Sequence, residues 1–145
     1  MQRRHWLSAL ASIGFLGLTH RVRADLLPGP PPPVLAVHPE PATFHGTPTD
    51  VLLVVTNPTA APVEIQGLRL LITDAGIRFP LHVSRIEVDG RQTGVYDPFT
   101  VAPSASKRVR VVFDQVPPTA LRGSSITFLL RMGGASECTF TLRRA

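Results

Sequence analysis

The side chains able to do chemistry in this chain are few and scattered. His38, His45 and His82, with Cys138 and Met132, are imidazole, thiol and thioether groups of the kind that bind zinc or copper. A metal site needs several of them to converge, and no C-x-x-C or H-E-x-x-H spacing gathers them. His38 and His45 are seven residues apart, with Pro39 and Pro41 between them. Alternation puts Cys138 on the same side of its segment as Phe140 and Leu142, the core side, where a free thiol behaves as a small buried hydrophobe. No metal site and no cofactor is therefore expected. Copper handling or redox work in the periplasm stands as the alternative function, with these five residues as its only candidate ligands.

Nucleophilic and acid–base catalysis find no better support. Ser124 and Ser125 follow Gly123, but the nucleophile elbow needs G-x-S-x-G on a strand-to-helix turn. Glu87 and Asp89 share an outward face, yet they alternate with Ile86 and Val88 beside a turn, as a solvated strand face does. A glycine loop cradling phosphate must open a helix, and the chain has no helical apolar period to supply one. No catalytic residue is expected, and the chain reads as a non-enzyme. Phe79, Tyr96 and Phe99 lie close to Pro80 and Pro98, where aromatics either plug the end of a core or line a binding surface.

Residues 1–24 have the plan of an export signal: Arg3 and Arg4, an uncharged apolar run over 7–18, and Ala24 at the expected cleavage point. The run of 12 residues is short of the roughly 20 that span a bilayer, so no stable membrane insertion is expected after cleavage. Arg3-Arg4-His5-Trp6-Leu7 has the form of a twin-arginine signal. Four of the 15 Lys and Arg lie in this segment, but none of the 10 Asp and Glu, so the remainder carries a net charge of only +1. Nucleic acid is thereby excluded as a partner, since it demands a basic face. With one cysteine there is no intramolecular disulfide, and stability must come from the core.

The elements that must position these groups are strands. Residues 25–33 form a proline-rich leader with four consecutive prolines, an extended spacer. From residue 34 to 145, short runs of Val, Ile, Leu, Phe and Thr are punctuated by Pro, Gly, Asn and Asp. Strands are expected at 34–38, 50–56, 63–72, 83–88, 92–95, 100–101, 107–113, 126–131 and 138–143. The phase shift at Gly67 predicts a β-bulge within 63–72, and Asp89-Gly90 predicts a hairpin. Seven to nine such strands predict an all-β, single two-sheet sandwich of the immunoglobulin-like kind.

Two segments, VLLVVTNPTAAPVEIQ over 51–66 and FTVAPSASKRVRVVF over 99–113, resemble the first domain of the periplasmic pilus chaperones. PPTALRGSSITFLLR over 117–131 is similar to the end of immunoglobulin-like accessory domains fused to membrane redox proteins. The resemblance implies a sandwich of the bacterial envelope with a chaperone-like or assembly role. Those chaperones have a second domain, so their inter-domain cleft is not implied here. Turn and alternation signals of this kind support a fold far more than a function.

The expected function is therefore an exported, non-catalytic module, in the periplasm or secreted, that binds another envelope protein. The partner surface is expected at the first strand, where Val34, Ala36 and His38 share a face and no residue is charged, or at Phe79, Tyr96 and Phe99. The signal is directly testable. Changing Arg3 and Arg4 together to Lys should block export if the pair addresses the twin-arginine route. Normal processing of the double variant would leave the general secretory route.

Overall fold

The computed structural model describes residues 29–145, and the expected signal, together with the first part of the leader, lies outside the described residues. Residues 29–31 have no regular structure. The compact unit that follows is Pro32–Ala145. Its strands are β1 (Ala36–Pro39), β2 (Thr43–Phe44), β3 (Asp50–Thr56), β4 (Val63–Ile65), β5 (Leu68–Asp74) and β6 (Ile77–Pro80). They continue with β7 (His82–Val88), β8 (Arg91–Thr93), β9 (Phe99–Val101), β10 (Ser106–Asp114), β11 (Ser125–Met132) and β12 (Cys138–Arg144).

One sheet has the order β1-β3-β10-β7-β8, the other β2-β12-β11-β5-β6, and β4 pairs with β9 in a small third sheet. The first strands divide between the sheets: β1 runs antiparallel to β3, and β2 runs parallel to β12. This is the all-β immunoglobulin-like sandwich that the alternation predicted. Its twelve strands include the nine expected, with 63–72 divided into β4 and β5, and β2 and β6, of two and four residues, are additions too short to show a period. A single 3-10 turn at Pro118–Leu121 joins β10 to β11.

Alternation is obeyed where it is cleanest. Val109, Val111 and Phe113 of β10 are buried, as are Ile86 and Val88 of β7. Phe113 lies 5.9 Å from Phe128, and Phe128 stacks on Phe140 at 5.0 Å, so three aromatic rings tie the two inner faces together. The Asp89-Gly90 hairpin forms with both residues at positive φ, +49° and +81°, as its turn type requires. The Asp89 carboxylate accepts from the Arg108 N–H at 2.9 Å, and that bond, with Lys107 beside it, holds the carboxyl below its ordinary range.

Residues 63–72 are not one bulged strand. β4 ends at Ile65 and pairs with β9, whereas β5 starts at Leu68 and pairs with β11. Between them the Gln66 N–H donates to the Gly133 carbonyl at 2.8 Å, and Gly67 takes φ +136°, so the phase shift marks a change of partner.

Asn57 lies at the Asn-Pro turn after β3 and is fully buried, the only buried polar residue among the described residues. Its amide donates to the carbonyls of Ala61 at 2.8 Å and Val101 at 3.0 Å. Its Oδ1 accepts from the Thr59 N–H at 3.0 Å and the Thr59 hydroxyl at 2.6 Å. Its backbone donates to Ala105 and accepts from Ser104. One side chain thus joins the β3–β4 turn to β9, and its backbone holds the turn into β10.

Asn57→Ala should cost about 2–4 kcal/mol in denaturant unfolding, since carbonyls are left buried without a donor. Asn57→Asp sets a carboxylate against two carbonyl oxygens, which favours the protonated acid in the fold. Its folded pKa lies above its unfolded one, so stability is retained below the unfolded value and lost as pH rises through the folded value. The variant should be closer to wild type at about pH 4 than at about pH 8. Wild-type stability of both variants would show that the clasp is dispensable.

Candidate functional site

β5 has seven residues, but β6 covers only the last four of them, Leu71 to Asp74. After Pro80 the chain leaves the sheet. The Leu81 N–H donates to the Leu70 carbonyl at 2.9 Å, Leu81 itself turns inward, and β7 begins in the opposite sheet at His82. Leu68, Arg69 and Leu70 therefore have no neighbouring strand on this side. Gly67, Arg69 and Leu71 direct their backbone groups toward β11, so Leu68 and Leu70 direct theirs into the gap. Only the Leu70 carbonyl is met there among the described residues.

The gap is a cleft of about 600 Å³, in the range of small-ligand sites, walled by Leu68, Leu70, Leu81, Val83, Val95 and Tyr96. Tyr96 is 73% exposed, the most open large apolar-bodied side chain among the described residues. Its ring lies over Gly67: a side-chain carbon there would sit 3.6 Å from the ring edge. A second hollow of about 310 Å³ continues past the same ring to Gly133.

The rim is basic. Arg69 and Arg131 are directly opposite each other on β5 and β11, and like charges so placed destabilise a sheet. Arg131 donates from Nε to Glu137 at 3.1 Å. Arg69 makes no ion pair among the described residues. His82, also on the rim, faces Asp114 at 3.1 Å.

The residues singled out in the sequence fall in separate places. Val34, 65% exposed, Ala36 and His38 lie on one open face at β1, which ends its sheet and pairs only with β3. On its other side β1 is flanked by ties to the second sheet: the Ser136 N–H donates to the Pro33 carbonyl and the Arg143 N–H to the Ala42 carbonyl, both at 2.9 Å. Phe79 is half-buried on β6 opposite Ile72, and Phe99 is half-buried on β9, packed against the core. Of the three aromatics only Tyr96 is open to a partner.

Among the described residues no three His, Cys, Asp or Glu side chains converge as a metal site would require. Met132 is buried, His38 and His45 lie on β1 and after β2, and Cys138 is half-buried rather than buried because it opens its strand. Glu87 is engaged by Arg110 at 3.3 Å and Asp89 by Lys107 at 3.2 Å. Ser124 and Ser125 are exposed at the start of β11.

No protein family matches the chain, and no curated protein matches it. Solved structures similar to the chain at low identity include the following three. The archaellum periplasmic stator protein FlaG from Sulfolobus acidocaldarius is 10% identical with a TM-score of 0.44, over 74% of this chain and 97% of that one. The alkylpurine DNA glycosylase AlkC from Pseudomonas fluorescens, bound to DNA containing an abasic site analog, is 9% identical with a TM-score of 0.43, and 78% of this chain spans 31% of it. ACE19, the collagen-binding subdomain of the Enterococcus faecalis surface protein ACE, is 8% identical with a TM-score of 0.30, over 79% of this chain and 99% of that one.

Burial pushes the Cys138 thiol up, which lowers its thiolate fraction at neutral pH. A thiol reagent should therefore label the native protein at least about tenfold more slowly than the denatured one. Equal rates would show that β12 does not hold Cys138 against the core.

Proposed function

We propose that the chain is an exported, non-catalytic module of the cell envelope that binds another envelope protein through the cleft beside Tyr96. The observation that carries this reading is an apolar cleft, open to solvent, at a point where a long strand outruns its neighbour. An exposed tyrosine on an apolar hollow is the usual composition of a binding hot spot, since its ring adds contact area at little entropic cost. The export signal read in residues 1–24 supports an envelope address. A second reading is favoured by β1, an uncharged terminal strand with Val34, Ala36 and His38 on its open face. There a partner would add a strand, as sheet edges allow.

A photo-crosslinking amino acid placed at Tyr96, at His38, or at exposed Ser106 on β10 separates the readings in cells. A discrete adduct with one envelope protein is expected from position 96 and none from 106, and Tyr96→Ala should weaken capture of that protein by about tenfold or more. An adduct from position 38 alone would move the site to β1. Equal adducts from all three positions, or none, would overturn the proposal.

A further inference from the structure

We infer that the gap beside β5 accepts an extended segment of the partner protein, with an acidic residue opposite Arg69 and an apolar residue opposite Leu68. The inference rests on the cleft being a partner site and adds the chemistry of what it takes. The gap is the place where β6 would lie had it continued, so its wall is strand backbone. The Leu68 N–H and carbonyl face it, and among the described residues neither is hydrogen-bonded to that side, whereas Leu81 already stands opposite Leu70 and takes its carbonyl. An added strand satisfies them, which is how main-chain pairing supplies affinity in strand addition.

Alternation then fixes the side chains of the incoming segment. The residue opposite Leu68 points inward, where Leu81, Val83 and Val95 form an apolar wall. Its neighbour, opposite Arg69, points outward onto the rim. Arg69 there stands beside Arg131 with no carboxylate of its own, whereas Arg131 has Glu137. A carboxylate in that position gains a cation and relieves a like-charge pair, while a lysine would add a third positive charge to the row. Tyr96 closes the end of the slot over Gly67.

The probe is a capped, fluorescent seven-residue peptide of alternating valine and glutamate, titrated onto the purified full chain and followed by anisotropy. It should bind, and its valine–lysine counterpart should bind at least about tenfold more weakly, with the difference shrinking as salt is raised. Arg69→Gln should abolish the preference. That variant removes one member of a repulsive pair, so its thermal unfolding midpoint should equal or exceed that of wild type, which separates lost binding from lost folding. Arg85→Gln, on the opposite sheet, should leave binding unchanged. The inference is overturned if neither peptide binds at millimolar concentration, if both bind alike, or if Arg69→Gln changes nothing. It is also overturned if the chain self-associates and the glutamate peptide fails to compete, because a second copy then fills the gap. A position-96 adduct without peptide binding would refute this chemistry alone and leave the cleft as a partner site.

Discussion

A β-strand needs a partner on each side or water, and β5 has a strand partner along only part of one side. That constraint generates the rest. β6 is four residues long because the chain must cross to the other sheet, and the crossing is made by Leu81, whose side chain enters the core while its N–H takes the Leu70 carbonyl. The first half of β5 is left with backbone facing a hollow. The hollow is apolar because its walls are the inner faces of two sheets seen from the side, and it stays open because the loop that reaches it brings Tyr96 to its end instead of a strand to its middle.

Such an opening is tolerable only if the remainder is closed. The three phenylalanines bind the sheets through their centre, and Asn57 joins the β3–β4 turn, β9 and the turn into β10, so no buried side-chain nitrogen or oxygen is left unpaired among the described residues. Charge shows the same contrast. On the first sheet Arg110 lies between Asp50 at 2.5 Å and Glu87 at 3.3 Å, bridging three strands, although at such exposure these pairs add little stability. On the second sheet Arg69 and Arg131 face each other with one carboxylate between them. Charges are thus matched at the centre of the first sheet and mismatched at the cleft, the mismatch on which the proposed partner site rests.

Much of the fold is legible in the residues, because long strands carry a period. Val109, Val111 and Phe113 announce their inward face, and Asp89-Gly90 announces a hairpin that only positive φ can close. β2 and β6 are not legible, since two and four residues are too few to show a period, and the break at Gly67 reads as a bulge because both events shift the phase by one. The site is scarcely legible. Tyr96 stands out as an aromatic among turn residues, but the opposition of Arg69 to Arg131 is a matter of register between segments 62 positions apart, which no local pattern encodes. Asn57 likewise looks like an ordinary Asn-Pro turn. Its importance lies in carbonyls that come from Ala61 and from Val101, 44 residues away.

Native-state amide hydrogen exchange, resolved residue by residue along β5, tests the central claim most directly. Arg69 and Leu71, bonded into β11, should be protected, and Leu68 and Leu70, facing the gap, should exchange at least about tenfold faster than those neighbours. Uniform protection from Leu68 through Leu71 would mean that the chain itself already fills the gap, and the binding site drawn from it would not exist.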